Sequence, residues 1–396
     1  MKPGLILKWL ILVVGTSVVN VGCLHTDREP QSIYKYIEPT YGNIQLVITK
    51  DTLNFKLNDT TYNAVKSFNL FLHKGVEYVS FYDQRSETIN IYNFGTQELK
   101  GKISLKKWFK GHSLFKTSAY IKNFDSIYVT NVNTVYLFDR KGRMKWSAEF
   151  PDKSKDARAF FDNTCQPVFK DGHLFAAISP GVDYNSLKKL RAWKVLYQFG
   201  GDNKPRSLFS LPAIYGQNLY GSQFVKYNYC FNNKGYFVFS FPADTNIYET
   251  DLKEHYVAYY AKSQFQKGPI PPLNKDQLQE NIAYKQYKMR DSYGPIFFDP
   301  YKKRHLRLAK QKITEENIKK SNLNRKESVI VFDENMRIIG ESAIPDNFSF
   351  NTLVFSSSGN MYAQVNSEDE NALHFVRLEY RETSTDSMHQ LTKLDK

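Results

Sequence analysis

Apolar and polar positions alternate in short runs along this chain, and polar turns separate the runs. In "FNNKGYFVFSF", from Phe231, an aromatic precedes a polar turn with a glycine, and an alternating aromatic run follows. Alternation with period two sends successive side chains to opposite faces of a strand, and glycine permits a tight turn. The stretch therefore predicts a hairpin. "FLHKGVEYVSF" from Phe71, "FKDGHLFAAIS" from Phe169 and "FSSSGNMYAQV" from Phe355 repeat the pattern, each with a Phe three or four residues before a Gly.

A second unit recurs downstream. "TVYLFDRKGRMKWSAEFP", ending at Pro151, aligns without a gap on "SVIVFDENMRIIGESAIP", ending at Pro345. Asp139 falls on Asp333 and Arg143 on Arg337, and a looser copy, "TINIYNFGTQELKGKISL", begins at Thr88. Each copy reads as strand, polar turn, strand, with an Asp or Asn able to bond its own backbone two residues on.

Taken in order, the two units give blades of four antiparallel strands, and six such blades are counted. This pattern predicts an all-β fold, a six-bladed β-propeller over residues 43–385. The last blade lacks an outer strand, which "NIQLVITKD" from Asn43 is placed to supply from the other end of the chain. Two segments break the β pattern. Asn274 with Gln277 has capping-box spacing ahead of Leu278, Ile282 and Met289 on one helical face. Glu315 and Glu316 followed by Lys319 and Lys320 suit a helix dipole. "YKKRHLRLAKQK", from Tyr301 to Lys312, reads as a strand with one solvated face.

Composition agrees with the pattern: 29 Phe and 27 Tyr in 396 residues favour pleated, half-buried surfaces. The N-terminus stands apart. Lys2 and Lys8, an apolar run from Trp9, then Gly22 and Cys23 read as an export signal over 1–22, and the apolar run is short for a membrane span. The Gly-Cys ending resembles a bacterial lipoprotein signal, in which Cys23 becomes the acylated first residue. Asn20 stands where such signals usually carry an aliphatic, and cleavage elsewhere or an uncleaved anchor fits the same stretch. Residues 23–42 read as a polar tether and 386–396 as a disordered tail. The net charge of +14 falls to +12 once Lys2 and Lys8 are removed. A basic surface favours anionic partners, but the cations are scattered and an exported chain is a poor candidate for nucleic-acid work. Cys165 and Cys230 lie far from any CxxC or His-rich run, so no metal cage is expected and buried free thiols are the preferred reading.

No GxSxG, HExxH, P-loop or GxGxxG stretch occurs. The histidines, His112 and His173 among them, are scattered, and "SSSGNMY" lacks the Asp and Trp of a sialidase Asp-box. No cofactor is expected. One stretch, "MRDSYGPIFFDPYKKRHLRL" from Met289, concentrates polar and aromatic groups. Arg290, Tyr293, Asp299, Tyr301 and Arg304 are candidate ligand-binding residues there, a fork and rings for an acidic or sugar ligand. The plainer reading is an Asp-Pro turn flanked by solvated charges.

The lipoprotein-like start, the Tyr- and Phe-rich blades, and "SYGPIFFDPYKKRHLRL" followed by "SVIVFDENMRIIGES" resemble a Bacteroidota lipoprotein family known as domain of unknown function 4221, and TolB-like six-bladed propellers more broadly. The resemblance implies a cell-envelope location, as an outer-membrane lipoprotein facing periplasm or cell surface. It brings no catalytic residues. The expectation is a lipid-anchored binding or scaffold module for a protein, peptide or glycan. The alternative is a glycan- or lactone-directed hydrolase or lyase with its site in the propeller channel. Convergent carboxylates or a His–carboxylate pair at the channel mouth would favour the enzyme.

Overall fold

The computed structural model describes residues 32–383 apart from 64, 110–113, 115, 151–156, 180–182 and 201–204. The signal over 1–22, Cys23, His112 and the tail over 386–396 lie outside the described residues.

Two strands precede the first blade, β1 (Ile33–Lys35) and β2 (Ile44–Lys56). Blade 1 holds β3 (Lys66–His73), β4 (Val76–Asp83), β5 (Thr88–Asn93) and β6 (Leu99–Ser104). Blade 2 holds β7 (Thr117–Asn123), β8 (Ser126–Asn131), β9 (Thr134–Phe138) and β10 (Met144–Glu149). In blade 3 the inner position is shared by β11 (Arg158–Phe160) and β12 (Val168–Lys170), both paired with β13 (His173–Ser179), and β14 (Lys194–Phe199) and β15 (Arg206–Ser210) follow. Blade 4 holds β16 (Asn228–Phe231), β17 (Phe237–Ser240), β18 (Asn246–Thr250) and β19 (Tyr256–Tyr260). Blade 5 holds β20 (Ser292–Asp299), β21 (Arg304–Lys310), β22 (Glu327–Phe332) and β23 (Ile338–Ile344). Blade 6 holds β24 (Phe348–Phe355), β25 (Met361–Val365) and β26 (Ala372–Glu382). These six antiparallel sheets make the molecule a six-bladed β-propeller.

The missing outer strand of blade 6 is β2, which pairs antiparallel with β26 from Ile44 opposite Glu382 to Lys56 opposite Ala372. Both ends of the β region are thereby tied into one sheet, with β2 as its outer strand. The segment read as a tether is docked from Ile33 onward. β1 adds in parallel to the outer strand of blade 4, Thr40 N–H bonds Ile338 O at 2.9 Å, and Glu341 N–H bonds Tyr41 O at 3.0 Å. This segment therefore crosses the outer edges of blades 4 and 5 before it joins blade 6. At Gly340 the approach of Ile44 is so close that a Cβ would lie 2.0 Å from its carbonyl oxygen.

The two repeats of the sequence are the two turns of the blades. The aromatic-glycine stretches are the turns from inner to second strand: Gly75, Gly172, Gly235 and Gly359 have φ of +78°, +74°, +79° and +78°, the left-handed region that glycine enters freely. The Asp stretches are the turns from third to outer strand. Asp139 Oδ1 accepts from the N–H groups of Lys141 and Arg143, and Asp333 Oδ1 from those of Asn335 and Arg337. Blade 4 repeats this with Asp251, Lys253 and His255.

A four-stranded meander turns twice on one face and returns on the other. All helices among the described residues lie in the returning connections: α1 (Leu187–Ala192), α2 (Ala213–Gln217), α3 (Glu280–Lys288), α4 (Glu315–Lys319) and three short 3-10 turns. They share the face at which the inner strands begin. The capping box at Asn274 and Gln277 forms as expected and starts a 3-10 turn over Lys275–Leu278. A second one forms at Thr314 and Asn317 ahead of α4. Helices α1 and α2 are too short to print a periodic stripe in the sequence.

One expectation is corrected. The strand at Arg304–Lys310 presents no solvated face: His305, Leu306, Arg307, Leu308 and Ala309 are all buried. As the second strand of its blade it has β20 and β22 on its edges, and its two faces pack against the neighbouring blades.

Candidate functional site

The first half of the polar stretch at Met289 is structural. Arg290 is buried, donates to the carbonyls of Tyr220, Pro271 and Gln286 at 2.8–3.0 Å, and lies 4.1 Å from the Phe224 ring centroid. Tyr293 lies beneath Arg307, whose guanidinium is 3.7 Å from the ring centroid. Its hydroxyl donates to Gln266 Oε1 and accepts the Ser263 N–H. Burial pulls the guanidinium groups of Arg290 and Arg307 down to about 10, with nearby tyrosines opposing. Both remain charged at neutral pH.

The second half sits at the far end of β20. Asp299 is buried and caps its turn, accepting from the N–H groups of Tyr301 and Lys302 and from the Tyr380 hydroxyl at 3.1 Å. Arg304 covers the Tyr380 ring at 4.5 Å, and Tyr301 is 47% exposed. Eight strand residues separate the two groups by roughly 20 Å. The structure does not bring the five candidates together.

The cavity that all six blades do build is the channel mouth, about 610 Å³, on the helix-bearing face. Its lining draws on the first half of each inner strand: Lys66 and Ser67, Thr117 and Ser118, Arg158 and Phe160, Asn228, Gly294, and Asn351. Tyr293 is the single member of the sequence-derived set that reaches it.

The floor of this mouth is a loop that interrupts the inner strand of blade 3. Between β11 and β12, residues 161–167 leave the sheet and cross the channel. Phe161 O accepts from Ser67 Oγ at 2.7 Å, and Phe161 N–H donates to Ser118 Oγ at 2.7 Å. Asn163 accepts from Phe68 N–H at 2.5 Å and donates to Thr352 Oγ1 at 2.9 Å, while Thr164 O accepts from Tyr229 N–H at 3.2 Å. One loop thus bonds to blades 1, 2, 4 and 6. A second cavity of about 320 Å³ lies beyond it, and Asn163 and Thr164 line both. Sequence reasoning read a hairpin from Phe169 and did not identify this plug. The available signal was "FDNTCQP", a polar turn-forming cluster with a proline set into a strand position.

Among the described residues, the mouth lining holds one carboxylate, Asp162, and no histidine. Asp162 is open to channel water yet walled in by the inner strands. That loss of bulk solvation pushes its carboxyl up, against the Asn163 N–H at 2.7 Å and the Lys66 charge. Cys165 and Cys230 are free thiols, and burial pushes both up, so neither is primed as a thiolate nucleophile. Among the described residues, no group of three or more His, Cys, Asp or Glu is gathered to hold a metal ion, and no helix is long and apolar enough to cross a membrane.

The comparisons with known proteins agree with the fold. A crystal structure of a DUF4221 member from Bacteroides vulgatus superposes with a TM-score of 0.72 at 18% identity, covering 87% of this chain and 100% of that one. A Bacteroides fragilis protein thought to be exported superposes at 0.52 with 11% identity, over 89% of this chain and 99% of that one. Virginiamycin B lyase from Staphylococcus aureus matches at 0.44 and 9% identity over 84% of this chain and 99% of that one, too distant to carry an argument. No curated protein matches the chain in sequence. Residues 43–343 match the family described as Domain of unknown function (DUF4221), and the chain belongs to that family.

Proposed function

We propose that this propeller is an exported binding module, anchored in the cell envelope through a lipid on Cys23, which docks a protein, peptide or glycan at its channel mouth. The observation that carries the binding role is the mouth itself: six inner strands converge on one polar cup whose floor is bonded in place from four blades. A rigid rim with side chains from every blade suits recognition. Among the described lining residues, the single carboxylate Asp162 has no histidine beside it to complete an acid–base pair, so the binding reading is preferred to the hydrolase or lyase alternative. Export is supported by the basic and apolar N-terminal pattern and by the likeness to the Bacteroides fragilis protein thought to be exported.

Two measurements test the proposal. Mass spectrometry of the mature N-terminus, from membranes of the native host, is expected to find a lipid-modified Cys23; an unmodified N-terminus elsewhere contradicts the anchor. For the site, Asn351→Trp fills the mouth from an exposed position. It is expected to abolish ligand capture while the protein stays folded, and retained capture contradicts the mouth as the site.

A further inference from the structure

The charge balance of the mouth names a ligand class, and this inference rests on the mouth being the binding site. Five of its cations come from five blades: Lys66, Lys116, Arg158, Lys226 and Lys310. Among the described residues, Lys310 forms an ion pair with Glu327 at 2.9 Å, and Lys66 lies within the field of Asp162. Lys66 and Lys226 donate to the neutral amides of Gln84 and Gln223 at 2.6 and 2.9 Å. The side chains of Lys116 and Arg158 have no hydrogen bond or ion pair to any described residue. Against these stands one carboxylate among the described lining residues, Asp162. A concave, walled site with unspent positive charge focuses its field on whatever enters.

The rest of the lining narrows the anion. The cations are spread around a ring, one to a blade, where a compact phosphate would need them gathered at one point. Neutral hydrogen-bonding groups stand between them: Asn228 and Asn351, and the buried Thr117 hydroxyl, which has no partner. Phe160 and Tyr287 are half-buried aromatic rings in the lining, Tyr287 with the Arg325 guanidinium 5.1 Å from its centroid and Phe224 packed edge-on. Spaced negative groups, many hydroxyls and flat C–H faces occur together in one ligand class. We propose that the channel mouth binds an acidic oligosaccharide, its carboxylates on Arg158, Lys116 and Lys226 and its ring faces on Phe160 and Tyr287.

The test is calorimetric titration of the mature chain with oligogalacturonate, a neutral malto-oligosaccharide and an oligoglutamate of matched charge. Oligogalacturonate is expected to bind, to weaken as salt is raised, and to lose about tenfold or more in affinity in Arg158→Ala. Asp162→Asn is expected to tighten it severalfold. Preference for the neutral sugar or for oligoglutamate overturns the acidic-glycan assignment, as does an affinity unchanged in Arg158→Ala. Asn351→Trp separates the two levels. If another ligand binds and Asn351→Trp abolishes that binding, the mouth stands and the ligand class falls. If oligogalacturonate binds equally well to Asn351→Trp, both fall.

Discussion

At the seam of blades 4 and 5, Arg307 donates to five acceptors: Ser240 Oγ and the carbonyls of Phe241, Asp244, Thr245 and Ala261. At the mouth, the Arg158 side chain has no hydrogen bond or ion pair with another described residue, although its backbone pairs with Ser179. The two guanidinium groups differ in what surrounds them. Arg307 is fully buried and its fork is filled by backbone of the preceding blade, so its charge is spent on holding two blades together. Arg290 and Arg325 serve the neighbouring connections in the same way, Arg325 donating to the carbonyls of Arg290, Lys310 and Gln311 and to Ser292 Oγ. Arg158 is half-buried beside a cavity, and its side-chain donors meet no other described residue. A cationic residue is evidence for a ligand only once its donors have been accounted for.

The comparison breaks most visibly at the seam. Arg307→Leu removes a charged donor from five acceptors, of which Phe241 O keeps the Asp244 N–H at 3.2 Å. A loss of about 3–5 kcal/mol is expected in urea unfolding. A loss under about 1 kcal/mol would mean that the seam is held by apolar packing alone.

The pH dependence of the same blade comes next. Burial, aided by the Lys234 charge and opposed by the Asp333 backbone, lowers the His305 imidazole to about 3. In the unfolded chain it takes a proton near 6.5. Between those values the unfolded state binds more protons, so stability is lost as pH falls from about 6.5 toward about 3, by at most ~1.4 kcal/mol per pH unit. His305→Phe is expected to flatten that slope relative to the parent protein, and equal slopes would contradict a neutral buried imidazole.

The closure is the third test. Gly340→Ala drives a Cβ into Ile44 O, and a cost of about 1–3 kcal/mol is expected from calorimetric melting. The smallest effect belongs to the mouth: Lys116→Ala and Arg158→Ala should each change stability by under about 0.5 kcal/mol.

Much of the fold was legible because blades are local. Phe231 to Gly235, and Asp139 to Arg143 with its copy at Asp333, write each turn within a few residues, and a β-strand shows its period in six. The candidate site was not legible, because it is assembled from one or two residues per blade that lie tens of positions apart. Lys66, Lys116, Arg158 and Lys226 share no motif, and only the propeller closure brings them to one rim. The dense stretch at Met289 misled for a related reason. A strand carries its residues apart along its length, so Tyr293 and Asp299 close in sequence became two ends of one blade. Likewise the alternation in "RHLRLAK" gave no hint that both faces of that strand are covered, because burial of its Arg and His depends on the neighbouring blades.

Thermal melting with oligogalacturonate tests the central claim most directly, comparing the mature chain with the Lys116→Ala/Arg158→Ala double variant. A ligand that binds only the folded state raises the melting temperature as its concentration passes the dissociation constant. If the mouth cations are held for a ligand, the two proteins melt together without it and only the parent rises on its addition. If the variant melts well below the parent without ligand, or rises as far with it, the mouth cations are structural and the claim is contradicted.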